Sequence, residues 1–275
     1  MRALLVLNEL ARSGKRQAEL VRRTLAECEI DCVDDPDAGN LDAVIAAGGD
    51  GTILHVLPLA LERALPLGVI PLGTFNDLAH TLDLPFDIPQ ACAVIKALHT
   101  QTIDVARVNG VYYLNEASIG LSSRIARRQT PEAKQRLGSL AVLSATVRSL
   151  RDAVQMRVRI EYDGAVERFK TLQLTIANSG HFGGIIRSAN AAIDDGWLDL
   201  YSVEAQNFLQ AIAVAKKVIA RDPVSGDGLR VRRSKAFSVN TGHRHRIAAD
   251  GEPAGTTPAL FEVVPGALKV LVPQR

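Results

Sequence analysis

The sequence predicts two domains of different classes: an α/β domain with a parallel sheet over residues 1–120, and a β-rich, antiparallel, sandwich-like domain over residues 121–275. Strand and helix signals alternate in the first part, which is typical of a parallel sheet with crossover helices. Hairpin turns and short strands dominate the second part. The chain length of 275 residues also exceeds that of a single domain of about 100–200 residues. Whether the last strand returns to the first domain is left open.

Three apolar runs in the first part are predicted to be buried parallel strands: Ala3–Leu7, Ala43–Ala47 and Leu67–Pro71. Each run is followed by a glycine-containing segment and a helical pattern. The helices are expected to begin near Gln17, Thr52 and Asn76. Ligands on such sheets bind at the carboxyl ends of the strands, so the turns that follow these runs are the first place to look for a site.

The second part begins with a hairpin at Asn109-Gly110, a pair of residues that favours a two-residue β-turn. Helices are expected near 133–151 and 205–220. Strands are expected over 155–162, 165–178, 197–203, 229–240, 244–249, 260–264 and 267–272.

Charge is distributed unevenly along the chain. Residues 1–120 carry 9 Lys/Arg against 16 Asp/Glu, whereas residues 121–275 carry the remaining 23 against 14. The stretch 121–160 alone has 9 basic and 2 acidic residues. This excess indicates either an anionic partner, such as a membrane surface, or a solvated helix face. No aromatic residues are interleaved with the basic ones, which argues against nucleic acid.

Two further observations bear on the cellular location. The chain has three cysteines and no C-x-x-C pair, so reduced thiols in a cytoplasmic protein are expected rather than disulfides or a zinc site. No apolar run approaches the roughly 20 residues of a membrane-spanning helix. Association with a membrane is therefore expected to be peripheral at most.

A glycine-rich turn, Gly48-Gly49-Asp50-Gly51-Thr52, follows the second apolar run and opens a helix. Glycine lets the backbone approach a phosphate, and the free N–H groups at a helix start attract it. A carboxylate in such a turn repels phosphate unless it holds Mg²⁺ or takes a proton from a hydroxyl. Asp50 is therefore predicted to have one of these two roles, and an ordinary turn with a capping Asp50 is the alternative.

A second turn of the same kind, Pro71-Leu72-Gly73-Thr74-Phe75-Asn76-Asp77-Leu78-Ala79, follows the third run. Two such turns on successive parallel strands are expected to meet at one sheet edge. Neither turn has the sequence of a Walker A loop, and no G-x-G-x-x-G precedes a helix. P-loop and Rossmann nucleotide sites are thereby excluded.

Together with Asn115, Gly120 and Asp250-Gly251-Glu252, these turns occur in the order and approximate spacing of the diacylglycerol kinase catalytic family. The chain resembles that family, which includes bacterial lipid kinases and sphingosine kinases, over nearly its whole length. The resemblance implies transfer of the γ-phosphoryl group of ATP, with Mg²⁺, to a lipid hydroxyl of diacylglycerol or a related alcohol. It further implies a site in the cleft between the domains and a cytoplasmic enzyme at an anionic membrane surface. It leaves homodimer formation open.

The resemblance also implies roles for individual residues. The nucleotide would be bound by Asn8, Gly14, Gly48, Gly49, Asp50, Gly51, Thr52, Gly73, Thr74 and Asn76. The catalytic Mg²⁺ would be surrounded by Asp50, Asp77 and Asp104. A structural magnesium would be bound by the Asp195 side chain and by the carbonyls of Ala192 and Trp197. The base that accepts the lipid hydroxyl proton would be Asp250 or Glu252, with Asp50 as a rival.

Two other functions stay open. NAD kinases share the glycine-rich turn, and Asn115-Glu116 matches their Asn-Glu pair, although the second turn and the Asp-Gly-Glu motif favour the lipid branch. A non-catalytic nucleotide- or lipid-binding protein is the other alternative. It is motivated by departures from the family pattern, with Glu9, Ile185 and Asn190 standing where Pro, Gly and Pro are usual.

Overall fold

The computed structural model describes residues 1–8, 14–120, 155–182, 186–187, 192–205, 210, 226 and 228–274. The helix predicted near 133–151, nearly all of the one predicted near 205–220, and the departures Glu9, Ile185 and Asn190 lie outside these residues. The chain divides into two compact units: Met1–Val105 with Val264–Arg275, and Ala106–Val263.

The described helices and strands, in chain order, are β1 (Arg2–Leu7), α1 (Gly14–Glu27), β2 (Asp31–Val33), β3 (Ala43–Gly48), α2 (Asp50–Glu62), β4 (Leu67–Pro71), α3 (Asp77–Thr81), α4 (Ile88–Ala97), β5 (Thr100–Val108), β6 (Val111–Tyr113), β7 (Glu116–Gly120), β8 (Met156–Tyr162), β9 (Ala165–Thr171), β10 (Gln173–Ala177), β11 (His181–Phe182), β12 (Ile186–Arg187), β13 (Leu198–Val203), β14 (Leu229–Ser234), β15 (Ala236–Thr241), β16 (Arg246–Ala249), β17 (Glu252–Thr256) and β18 (Ala259–Leu271).

The first unit is built on a parallel sheet with the strand order β2-β1-β3-β4-β18. Every residue of β3 and β4 is buried, as expected for parallel strands that are covered on both faces. Apolar side chains of the strands pack with those of α1 and α4 in one core, represented by Ile45, Leu25 and Ile95. The predicted α/β class of this part is confirmed.

The second unit contains antiparallel sheets. One has the order β14-β13-β10-β7-β16-β17, and another contains β18-β15-β8-β9, while β5 and β6 form a hairpin. Alternate residues of both sheets enter a single core that includes Phe237, Phe261, Leu174 and Ile247. The predicted β-rich, sandwich-like class is confirmed. The hairpin turns at Asn109 and Gly110, with φ values of 50° and 86°, which is the geometry that an Asn-Gly turn requires.

Two segments that were each predicted to form one strand are instead split in two, and a hydroxyl residue stands at each break. At the first, Thr171 Oγ1 donates to the Gln173 carbonyl at 2.7 Å, and β9 ends where β10 begins in the other sheet. At the second, Ser234 Oγ donates to the Ala236 carbonyl at 2.9 Å, between β14 and β15. Each hydroxyl satisfies a backbone group at a corner where the chain changes sheet.

One prediction failed in the opposite sense. The segments 260–264 and 267–272 were expected to be separate strands, but β18 runs through both. Gly266 lies inside the strand with a φ of 60°, so glycine lets the strand continue through a local irregularity.

Candidate functional site

The turns after β1, β3 and β4 lie at one edge of the parallel sheet. Leu7 pairs with Ala47, and Gly48 pairs with Pro71, so the three strands end at the same level. The Asn8 N–H donates to the Ala47 carbonyl at 3.1 Å, which brings Asn8 to this edge. Gly14 begins α1, and residues 9–13 of the first predicted loop lie outside the described part of the chain.

The two glycine turns pack against each other, backbone to backbone. A Cβ on Gly49 would lie 3.0 Å from Gly73 Cα, and a Cβ on Gly73 would overlap Gly49 Cα. The contact needs hydrogen at both positions, a requirement that the sequence alone did not reveal. Around Gly51 nothing lies within 4 Å of such a Cβ, so this exposed glycine borders open space. We call the two turns, Gly48–Thr52 and Gly73–Asp77, the turn pair.

Asn76 fixes the second turn from within. Its Nδ2 donates to the Gly73 carbonyl at 2.9 Å, and its Oδ1 accepts the Gly73 N–H at 2.9 Å. The residue is buried and has a φ of 50°, a left-handed conformation that asparagine tolerates better than most residues. The Asn76 amide therefore holds the turn in place, while Thr74 is exposed at its tip.

Asp50 connects the two turns. It lies in the first turn of α2, and its Oδ1 accepts the Leu78 N–H of α3 at 3.4 Å. Burial raises the pKa of Asp50, and hydrogen bonds from backbone N–H groups of the second turn oppose part of that rise. The Thr52 side chain is also buried, and its hydroxyl packs against Gly48 Cα, where a Cβ would overlap it. Its hydroxyl is thus directed back toward the end of β3.

The predicted magnesium ligands are not gathered into one cluster. Asp50 and Asp77 lie in the first turns of α2 and α3, whereas Asp104 accepts the Gly266 N–H at 2.8 Å. Among the described residues, no three His, Cys, Asp or Glu side chains are close enough to hold a metal by themselves. Mg²⁺ in kinases is usually held by one or two carboxylates with water and substrate phosphates. Asp50 and Asp77 are two carboxylates at this sheet edge that could contribute to such a site.

A second group of predicted residues lies in the second unit, around Asp250. The Asp250 carboxylate accepts three consecutive backbone N–H groups: Leu114 at 2.7 Å, Asn115 at 3.0 Å and Glu116 at 2.8 Å. The Asp250 N–H in turn donates to the Glu116 carbonyl at 2.8 Å. Both carboxylate oxygens are thereby oriented by the backbone, and we call this arrangement the Asp250 clamp. Glu252 follows at the start of β17 and is exposed.

Two residues that sequence reasoning missed support the clamp from behind. Asn178 Nδ2 donates to the Leu114 carbonyl at 2.9 Å, and Ser179 Oγ donates to Asn115 Oδ1 at 3.3 Å. Both are buried and directly follow β10. The sequence signal that could have indicated these two residues is a pair of polar side chains immediately after a buried apolar strand. Tyr113 is buried beside the clamp, and burial, with the nearby Asp250 and Glu116 charges, raises its pKa well above the usual value.

The residues predicted to bind a structural magnesium lie around the Asp195 carboxylate. Asp195 Oδ1 accepts the Trp197 N–H at 3.0 Å, and Asp195 Oδ2 accepts the Ala192 N–H at 3.2 Å. The Arg233 guanidinium forms an ion pair with the same carboxylate and lies 5.7 Å from the Trp197 ring centroid. A divalent cation requires oxygen ligands that face it. In the structure Asp195 faces two N–H groups and a cation, and its role as a magnesium ligand stays a prediction.

Comparison with known families divides the chain in two. Residues 2–108 match the diacylglycerol kinase catalytic domain, and residues 115–272 match the YegS C-terminal NAD kinase beta sandwich-like domain. The chain belongs to the diacylglycerol kinase family of lipid kinases. The predicted family and the predicted enzyme class, a kinase, are both confirmed.

Individual relatives agree with this assignment. A diacylglycerol kinase of Bacillus subtilis is 29% identical over 85% of this chain and 78% of its own length. An uncharacterised protein of Synechocystis is 28% identical over 84% of this chain, which spans only 54% of that relative. The crystal structure of a protein described as a putative diacylglycerol kinase from Bacillus anthracis superposes on 99% of this chain and 95% of its own chain. The TM-score is 0.81 and the sequence identity is 28%.

The likeness to NAD kinases is more distant. The structure of an Archaeoglobus fulgidus NAD kinase in complex with ATP has a TM-score of 0.55 and 16% identity. At that identity the likeness shows a shared fold alone. In the described part of the chain, no helix is long and apolar enough to span a bilayer.

Proposed function

We propose that this chain uses ATP and Mg²⁺ to phosphorylate the hydroxyl group of a lipid, either diacylglycerol or a related lipid alcohol. The observation that carries the proposal is the turn pair. Helix α2 begins at Asp50 with Gly49 as its N-cap, no side chain caps it, and its first turn has open space at Gly51. Uncapped N–H groups and the helix dipole attract an anion to such an end, and the triphosphate of ATP has the matching charge.

Asp50 and Asp77 are the residues that would hold Mg²⁺ beside the phosphates. Asp50 begins α2 and Asp77 begins α3 at the same sheet edge, and Asp50 accepts a hydrogen bond from the Leu78 N–H of α3. The ion would neutralise charge on the transferred group, which is the main requirement of phosphoryl transfer. Asp104 would act at longer range, since its carboxylate is bonded to Gly266.

Glu252 is the proposed base, and Asp250 is a positioning residue. The lipid oxygen would attack the γ-phosphorus, the bond to ADP would break, and Glu252 would accept the hydroxyl proton. Asp250 is less suited to this step because three N–H groups already bind its oxygens, whereas the Glu252 side chain is exposed to an incoming substrate. Asp50, whose pKa is raised by burial, is the rival base.

A lipid substrate in a bilayer requires the enzyme to work at the membrane surface. The second part of the chain carries 23 basic and 14 acidic residues, so an anionic surface is the expected partner. We therefore propose peripheral association with anionic membranes.

The test is phosphoryl transfer from labelled ATP to a panel of acceptors in mixed micelles. The panel contains diacylglycerol, sphingosine, a monoacylglycerol and, as a soluble acceptor, NAD⁺. Labelled lipid that depends on Mg²⁺ supports the proposal. Labelling of NAD⁺ alone would assign the chain to the NAD kinase alternative. ATP binding without labelling of any acceptor would favour a non-catalytic member of the family.

A further inference from the structure

Four basic residues of β8 and β9 lie side by side on one face of the sheet. Arg157 pairs directly with Lys170, and Arg159 pairs directly with Arg168. Directly opposed residues, and alternate residues along a strand, point to the same side of a sheet. Arg157, Arg168 and Lys170 are exposed and Arg159 is partly exposed, while the alternating Met156, Val158 and Ile160 are buried in the core. We call these four residues the basic ladder.

Like charges placed directly opposite each other on neighbouring strands destabilise a sheet. The ladder has two such pairs in succession. Of the four side chains, Arg159 forms an ion pair with Glu161, and its neighbour on the other side, Asn240, is neutral. The repulsion within the ladder is therefore only partly compensated by the described residues of the same face.

In another arginine cluster of the same unit, each positive charge is paired with a carboxylate. Arg230 forms ion pairs with Glu167 and Glu204, and Arg232 forms one with Glu167. Both carboxylates are mostly buried, and the arginines hold the pKa of Glu167 down to about 2, chiefly through the hydrogen bond from Arg232. Among the described residues of this unit, one set of arginines is neutralised internally, whereas the basic ladder has excess positive charge.

Two aliphatic side chains share the face of the ladder. Val166 is opposite Glu161, Glu161 is opposite Ser238, and Ser238 is opposite Leu260, so all four lie in one row across the sheet. Val166 is 45% exposed and Leu260 is 44% exposed. Cations beside exposed aliphatic groups suit a lipid headgroup region, where phosphates meet acyl chains. The described residues of this face include no aromatic ring on which a nucleic acid base could stack.

We propose that the basic ladder, with Val166 and Leu260, docks the protein on an anionic lipid bilayer. The four charges project from the same face of the sheet, so they can meet the headgroups of one leaflet together. The inference rests on the proposed function for the reason to be at a membrane. The contact itself needs neither ATP nor turnover.

The test is sedimentation with vesicles made of equal parts phosphatidylcholine and phosphatidylglycerol, compared with phosphatidylcholine alone, at low and high salt. The ladder variant carries Arg157→Gln, Arg168→Gln and Lys170→Gln. Each removed charge is expected to weaken binding to the anionic vesicles about 5-fold, and the three together about 100-fold. High salt should erase the difference, because the screening length falls from roughly 8 Å at physiological ionic strength to about 3 Å at 1 M salt.

A matched control removes the same net charge from the first unit, with Arg22→Gln, Arg23→Gln and Lys96→Gln. Each of these exposed cations already has an acidic partner: Asp34, Glu27 and Glu29, respectively. The control should bind anionic vesicles as the wild type does. The ladder variant should keep or raise its unfolding temperature, since two repulsive pairs are removed, so a loss of binding cannot be attributed to unfolding.

A second variant, Val166→Ser with Leu260→Ser, should weaken binding by an amount that does not depend on salt. Equal losses in the ladder variant and the matched control would overturn the proposal, as would wild-type binding by the ladder variant. Binding to a duplex RNA oligonucleotide without binding to vesicles would also overturn it. Turnover on micelle-dispersed diacylglycerol is measured separately. If the wild type shows no turnover, the proposed function is contradicted. If the wild type turns over and the ladder variant binds vesicles as the wild type does, only the docking surface is contradicted.

Discussion

The turn pair and the Asp250 clamp fix their predicted site residues in opposite ways. In the turn pair, Gly49 and Gly73 meet because neither has a side chain. In the clamp, one carboxylate is fixed because three backbone N–H groups point at it. The first arrangement should therefore be sensitive to any added atom and indifferent to charge. The second should tolerate a change of shape and be sensitive to the loss of an acceptor oxygen.

The largest expected effect comes from Glu252, which follows the clamp and is not part of it. Glu252→Gln keeps the shape of the side chain and removes its capacity to accept a proton. Turnover should fall by about 10²–10⁴-fold, the usual size of general-base catalysis. ATP affinity, measured by thermal stabilisation, should stay unchanged. If Glu252→Gln keeps near-normal turnover while Asp50→Asn is inactive, the base is Asp50.

Asp250→Asn tests the clamp itself. The amide has one acceptor oxygen and turns an NH₂ group toward backbone donors, so at least one N–H loses its partner. The free energy of unfolding should fall by about 1–3 kcal/mol, measured by urea titration. Asparagine tolerates the left-handed φ of 45° at this position, so backbone strain does not contribute. Glu252→Gln serves as the control and should unfold as the wild type does; equal stability of both variants would mean that the clamp is not stabilising.

A matched pair of glycine variants tests the turn pair. Gly73→Ala forces a Cβ onto Gly49 and to within 2.6 Å of Asn76 Oδ1, and should lower the free energy of unfolding by about 1–3 kcal/mol. Gly51→Ala places its Cβ in open space at a helix start, and should raise it by about 0.5–1 kcal/mol. Denaturant titration without nucleotide checks both values. Equal stabilities would contradict the backbone contact.

A larger side chain at Gly51 tests whether the turn pair binds the phosphates of ATP. Gly51→Leu should fold as stably as Gly51→Ala but lose thermal stabilisation by ATP, because the side chain fills the space proposed for a phosphate. Retained ATP stabilisation in this variant would place the phosphates elsewhere.

The smallest expected effect concerns Asp195, a second carboxylate held by backbone N–H groups. Because the Arg233 guanidinium already supplies positive charge to Asp195, chelation with EDTA should leave the unfolding temperature of the wild type unchanged. Arg233→Met should lower stability by about 1 kcal/mol, since the pair is partly exposed. A drop in the wild-type unfolding temperature on chelation, restored by Mg²⁺, would support a structural metal at this site instead.

Many features of the turn pair and the Asp250 clamp could be predicted from sequence, because they depend on local patterns. Buried apolar runs followed by glycine turns indicated β3 and β4 and the edge at which their turns meet. The motifs also indicated Asp50 and Asp250 as residues of interest. What the patterns could not reveal was the partner of each group: Gly49 touches Gly73, 24 positions along the chain, and Asp250 is bonded 136 residues away to Leu114.

The missed strand breaks have a similar cause. Residues 165–178 and 229–240 have the composition of single long strands, and only a threonine or a serine marks each corner. Hydroxyl residues are common inside strands, so a threonine or serine does not by itself predict a strand break. The break occurs only where the residues that follow pair with strands of a different sheet. That choice depends on tertiary pairing, which a local pattern does not contain.

The position of strand β18 near the end of the chain affects how the protein folds during synthesis. Its end completes the sheet of the first unit, where Val270 pairs with Leu67 and Leu271 joins the core. A nascent chain that has emerged from the ribosome only as far as α4 has β4 without this neighbour, and so has an open strand edge that can pair with other chains. The first unit therefore cannot finish folding before the second has been synthesised, and a pause between them would favour aggregation.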